Sequence, residues 1–208
     1  MVIDLARWAA LGAASGVLAG LACWAFLTAL DHATEVRLEH GWLVWLLPLA
    51  GLAIGGAYHL FGGRAGAGNA LLLDEIHQPT AWLPRRMAPM VAAGTVASHL
   101  FGASVGREGT ALQMSGSLSD WMARAFGLGH EDRRVLLTAS LGAGFGAVFG
   151  VPLAGLVFGL EVQRVSWTRH LHPPSTADGI DDPGLDGMRR RARQTVWLHL
   201  VVATAIGS

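Results

Sequence analysis

Residues 101–121 read FGASVGREGTALQMSGSLSDW and set a charged pair, Arg107-Glu108, between two glycines, Gly106 and Gly109. The surroundings of this pair decide its setting. Charge-free runs extend from Trp8 to Leu30, His40 to Gly63, Met87 to Gly106 and Val135 to Leu160, which is 23, 24, 20 and 26 residues. A bilayer-spanning helix needs about 20 predominantly apolar residues. Only 14% of the 208 residues are charged and 52% are hydrophobic, against roughly 25% charged in a soluble domain. The chain therefore reads as an all-α polytopic membrane protein, and the glycine-flanked ion pair as a break in its helices.

A second break lies upstream. Residues 62–84, GGRAGAGNALLLDEIHQPTAWLP, form a glycine-rich turn followed by a run, Asn69 to Ile76, too short to span. Glycines just before helical runs leave first-turn N–H groups unsatisfied, and the helix dipole adds partial positive charge at the same end. Irregular backbone at membrane depth is tolerated only where it is buried in protein or lines a cavity. Two such broken segments in one chain point to a small-anion site near the midplane, built from amides that need no full positive charge.

Composition narrows the partners. Fifteen basic residues, all Arg, balance fifteen acidic ones, so no net field attracts nucleic acid. Cys23 is the only cysteine, which excludes an intrachain disulfide and a Cys-based metal site. His170 and His172 with Asp178, Asp181, Asp182 and Asp186 read as a solvated loop, without helical ligand spacing. Ser115 and Ser117 lack a nucleophile elbow and read as helix-packing hydroxyls. No metal, cofactor or enzymatic reaction is expected. Asp74, Glu75 and His77 read as anchors of a helix end, and His59 and His99 as hydrogen-bonded packing residues.

The pattern predicts helices over 4–31, 42–62, 69–76, 87–102, 109–125, 132–149 and 151–165, with no sheet. The first apolar stretch is too long for a signal-peptide core and reads as a permanent first helix. Arginine asymmetry puts Arg64, Arg85 and Arg86 on the cytoplasmic side and a connection over 31–39 outside. Glycines at spacing four, at Gly12, Gly16 and Gly20, at Gly51 and Gly55, and at Gly142, Gly146 and Gly150, predict close helix packing. Trp8, Trp42, Trp45 and Trp82 are expected at the membrane interfaces.

The succession Gly106-Arg107-Glu108-Gly109-Thr110, the Gly/Ala-rich run Leu136 to Gly150, and Pro152-Leu153-Ala154-Gly155 leading to Phe158 and Glu161 resembles the N-terminal half of the CLC family of chloride channels and proton-coupled anion antiporters. That resemblance implies the first half of an inverted-repeat fold with broken re-entrant helices. It implies that Glu108 is the gating glutamate, presented by Gly106, Arg107, Gly109 and Thr110, and that Gly66, Ala67, Gly68 and Asn69 contribute to the anion site. It further implies a bilayer setting, a small inorganic anion and protons as the transported species, a homodimer, and the inner membrane of a prokaryote.

Departures from the family pattern qualify the substrate. Ala67 stands where the family has a serine ligand, Thr110 where it has proline, and Asn69 where it has isoleucine. Glu161 falls on the first of two acidic positions found in many antiporters, but Val162 falls on the relay glutamate. These losses are similar to the fluoride-exporting branch, with chloride left open. The resemblance covers residues 5–162. From 163 to 208 the chain is expected to be a divergent polar loop with a short apolar tail, since 10 of those 46 residues are charged against 20 of the first 162. Two readings remain: an anion transporter gated by Glu108, or a truncated, transport-inactive remnant acting only as a membrane or interaction protein.

Overall fold

The structure, a computed structural model, describes residues 2–171, with side chains from Leu5 to Val162. Among the described residues all regular structure is helical: α1 (Val2–Glu39), α2 (Leu47–Ala57), α3 (Asn69–His77), α4 (Met87–Leu100), α5 (Arg107–Ala125), α6 (His130–Phe149) and α7 (Pro152–Leu171). The apolar segments Leu5–Glu39 and Gly41–His77 are long and apolar enough to cross a membrane. The expected helix starts at 69 and 87 agree with the structure, and α5 begins two residues earlier than expected, so that Glu108 lies in its first turn. Of the polar loop and short apolar tail expected over 163–208, residues 163–171 belong to α7, and the rest, with His172 and the four aspartates, lies outside the described residues.

Two expectations are corrected. The connection placed over 31–39 is the last part of α1. Charges marked it as a loop, but no glycine or proline interrupts Leu30 to Glu39, and Thr34 Oγ1 donates to the Leu30 carbonyl one turn back at 2.9 Å. The single helix placed over 42–62 is subdivided into a 3₁₀ helix over Gly41–Leu46, α2, a π turn over Tyr58–Gly62 and a 3₁₀ turn over Gly63–Ala67. Pro48 stands in the first turn of α2. It lacks an N–H and would clash with a carbonyl four residues back, so an α-helix cannot run through it unperturbed. Downstream, Gly63 at φ +50° and Gly68 at φ +58° reverse the chain before α3, in backbone that a side chain disfavours.

α6 is the central post, packed against α1, α5 and α7, while α4 leans on α1 and α5 and the short α3 sits against α5 and α6. Small residues permit these approaches. A Cβ at Gly144 would stand 2.9 Å from the Ala111 carbonyl of α5, and one at Gly155 would stand 2.9 Å from the Gly146 backbone of α6. Ser15 of α1 and Ser119 of α5, both buried, share a hydrogen bond of 2.6 Å. Other glycines depart from the packing reading. Gly150 is the left-handed cap of α6 at φ +68°, and a Cβ at Gly51 or Gly55 would meet nothing within 4 Å.

Candidate site where two broken helices meet

Neither α3 nor α5 carries a side-chain cap at its start, where Gly68 and Gly106 precede the first turn. The first N–H groups of both helices thus lack the side-chain acceptor that a Ser, Asp or Asn cap supplies. The fold brings the two starts together. A Cβ at Gly109 would lie 2.9 Å from Asn69 Nδ2, and one at Gly68 would lie 3.4 Å from Gln113 Nε2. Each break therefore meets a carboxamide from the other helix. Gln113, nearly two turns into α5, carried no signal in sequence because a polar residue inside a helix reads as a solvated face.

Of the residues expected at this place, Gly68, Asn69 and Gly109 converge. Gly66 and Ala67 are exposed on the turn before α3, and a Cβ at Gly66 would touch nothing within 4 Å. Arg107 is exposed and Glu108 half-buried. Thr110 is buried, and its Oγ1 lies 2.7 Å from that of Thr95 on α4. Its hydroxyl thus ties the first turn of α5 to α4, an anchorage that proline could not make.

Glu108 Oε2 lies 3.0 Å from the position a Cβ would take at Gly106, so the carboxylate turns back over the start of its own helix. A side chain at Gly106 would crowd it. Among the described residues no ion pair or hydrogen bond holds this carboxylate. It borders a cavity of about 360 Å³ between α1, α4 and the start of α5.

A different polar cluster secures the far end of α3. Glu75, 1% exposed, accepts from Arg64 Nη2 at 2.7 Å, Arg133 Nη1 at 3.2 Å, the Thr80 amide at 3.1 Å and the Ala81 amide at 3.1 Å. Arg133 also donates through Nε to Asp120 Oδ1 at 2.5 Å and through Nη2 to the Ala81 carbonyl at 2.8 Å. Asp120 Oδ2 in turn accepts the Leu83 amide at 2.6 Å. Buried charges survive when paired and hydrogen-bonded, and here every member is.

The anchor role read for Glu75 agrees with this geometry, whereas Asp120 and Arg133 were not singled out in sequence. Trp82, expected at an interface, is exposed, and the guanidiniums of Arg124 and Arg133 lie over its ring at 4.9 and 4.8 Å from the centroid. His59 is exposed rather than packed, while His99 Nδ1 bonds the Thr95 carbonyl at 2.9 Å. Ser115 and Ser117 donate to the Leu112 and Pro84 carbonyls, as helix-packing hydroxyls do.

An all-helical chain with two long apolar segments and paired, uncapped helix starts has the build of a polytopic membrane protein with broken helices. A family model described as voltage gated chloride channel matches residues 50–176. A chloride/fluoride channel protein of Pseudomonas syringae pv. tomato is 56% identical over 166 residues, which cover 80% of this chain and 37% of that protein. The H(+)/Cl(-) exchange transporter ClcA of Cronobacter sakazakii is 33% identical over 177 residues, 77% of this chain and 38% of the transporter. The crystal structure of a CLC-type fluoride/proton antiporter superposes with a TM-score of 0.77 at 24% identity, covering 100% of this chain and 47% of the antiporter, a likeness of fold alone.

The chain belongs to the voltage-gated chloride channel family, the CLC family. Its helices match about half of a CLC-type fold, and it spans less than half the length of the relatives named above.

Proposed function

We propose that this chain supplies one side of a transmembrane pathway for a small inorganic anion, fluoride in preference to chloride, with Glu108 as the gate. The carrying observation is the meeting of two uncapped helix starts, with Asn69 against Gly109 and Gln113 against Gly68. Amides of both first turns, with Gly66, Ala67, Gly68, Asn69, Gly106, Arg107, Gly109 and Thr110 around them, replace the anion's hydration. A cradle of partial charges holds an ion loosely enough to release it.

Glu108 works by competition. Ionised, its carboxylate takes the donors at the start of α5, and protonated it releases them to the anion. Lower pH therefore opens the site, and each turn of the gate carries a proton. Ala67 offers no hydroxyl and Val162 no carboxyl, so neither a serine ligand nor a relay acid at the second position enters this scheme. The name of the Pseudomonas relative, a chloride/fluoride channel protein, agrees with either ion. The setting is the inner membrane of a prokaryote, with Arg64, Arg85 and Arg86 cytoplasmic, and the assembly is a homodimer.

The test is flux from liposomes loaded with fluoride or chloride and reconstituted with the full 208-residue chain. Wild type is expected to move fluoride faster than chloride, together with protons. Glu108→Gln, a mimic of the protonated gate, should keep anion flux and lose proton coupling, and Glu161→Gln should change little. Unchanged coupling in Glu108→Gln overturns the gating role, and equal rates for both ions overturn the fluoride preference. The second reading, a remnant that only packs and associates, draws on the exposure of Gly66, Ala67 and Asn69 on one side of the fold, and wild-type liposomes without flux would favour it.

A further inference from the structure

The cavity beside Glu108 has a second ionisable wall. It is lined by Asp31 and Thr34 of α1, His99 of α4, Ser104 of the connection, and Arg107 and Glu108 of α5. Polar groups and a volume of about 360 Å³ suit it to ordered water. The His99 tautomer is set by geometry. Its Nδ1 lies 2.9 Å from the Thr95 carbonyl, which only accepts, so Nδ1 carries a hydrogen and the lone pair of the neutral ring sits on Nε2.

The charged groups around His99 come from three directions: Asp31 on α1, Arg37, whose Cδ lies 3.6 Å from where a Cβ would stand on Gly102, and Arg107 with Glu108 on α5. The 3₁₀ helix Gly41–Leu46, whose Val44 also meets Gly102, carries no charge. Tyr58 faces α4 further down, at Gly94.

We infer that His99 is the proton relay of this cavity, taking protons at Nε2 from the outer solution and passing them through cavity water to the Glu108 carboxylate. The step balances: the Nε2–H bond breaks, an O–H bond forms on Glu108, and the ring returns to its neutral state with Nδ1 still bonded to Thr95. Imidazole is a side chain that both accepts and releases protons at physiological pH, the chemistry that a carrier to the gate requires. The relay rests on the gating role given to Glu108 above.

The test has a flux arm and an equilibrium arm. In liposomes of the full chain, His99→Gln should slow coupled proton uptake by on the order of tenfold between external pH 6 and 8, with the deficit closing near pH 5, where hydronium reaches Glu108 directly. In His99→Ala, external imidazole should restore uptake, which a residue of merely structural role would not allow. An unchanged pH profile in His99→Gln, or a deficit that imidazole leaves in place, overturns the relay while the gate stands. Proton coupling that persists in Glu108→Gln, or wild-type liposomes without flux, overturns the gate and the relay together. In the equilibrium arm, the pH titration of ¹³C-labelled histidine in detergent should give His99 a different midpoint in Glu108→Gln than in wild type. A midpoint that stays put overturns the coupling of the two groups without any recourse to transport.

Discussion

Glu75 and Glu108 are both carboxylates at short or broken helices of an apolar chain, and their surroundings differ in kind. Glu75 is buried at the end of α3, with two guanidiniums and two backbone amides filling its oxygens. Glu108 is half-buried at the start of α5 beside a cavity, and no bond from the described residues holds it. A saturated carboxylate fixes structure, since any movement would strand a buried charge. An unsaturated one is free to exchange partners.

The strongest break of this contrast is Arg133→Met. It would leave Glu75 and Asp120 facing each other's surroundings without their shared cation, and removal of one partner from a buried pair costs about 3–5 kcal/mol. Thermal unfolding in detergent should show that loss, and a change under about 1 kcal/mol would place the cluster with ordinary surface ion pairs. Next in size is Gly144→Ala, where the new methyl meets the Ala111 carbonyl and Ser115 across the α5–α6 contact. Overpacking there should cost about 1–3 kcal/mol, whereas Gly66→Ala, in open space on the other break, should stay within about 0.5 kcal/mol. Equal effects at the two glycines would erase the distinction between the closed end and the open one.

Smaller still is Thr95→Val, which removes the bond to Thr110 and should cost about 1 kcal/mol. It should also loosen the first turn of α5, read as faster amide hydrogen exchange at residues 108–112. Glu108→Gln should leave stability within about 0.5 kcal/mol of wild type. A loss of several kcal/mol in that variant would make Glu108 a structural carboxylate like Glu75.

Sequence reached the helices through their charge-free runs, and it reached the two breaks through glycines placed beside Asn69 and Glu108. It failed where a local signal contradicted a tertiary one. Asp31, Glu35, Arg37 and Glu39 look like a loop, yet a helix that leaves the hydrocarbon carries charges without ending, and nothing in that segment stops it. The Glu75 cluster was legible only in part. Arg133 lies 58 residues from Glu75, and its charge among neighbouring Arg134, Asp132 and Glu131 resembles an exposed turn. Gly51 and Gly55 fit a packing stripe by spacing, but spacing does not say whether another helix stands opposite. The meeting of Asn69 with Gly109 and of Gln113 with Gly68 arises from how α3 and α5 cross, which no local pattern encodes.

The uninterrupted length of α1 has a structural consequence. Its 38 residues make a rod about 57 Å long at 1.5 Å per residue, nearly twice the roughly 30 Å hydrocarbon thickness. Asp31 and Thr34, which wall the cavity, ride on the same rod as Ser15 and the apolar stretch below them. The helix is continuous through both portions, so one element both packs Ser15 against α5 and walls the space over Glu108.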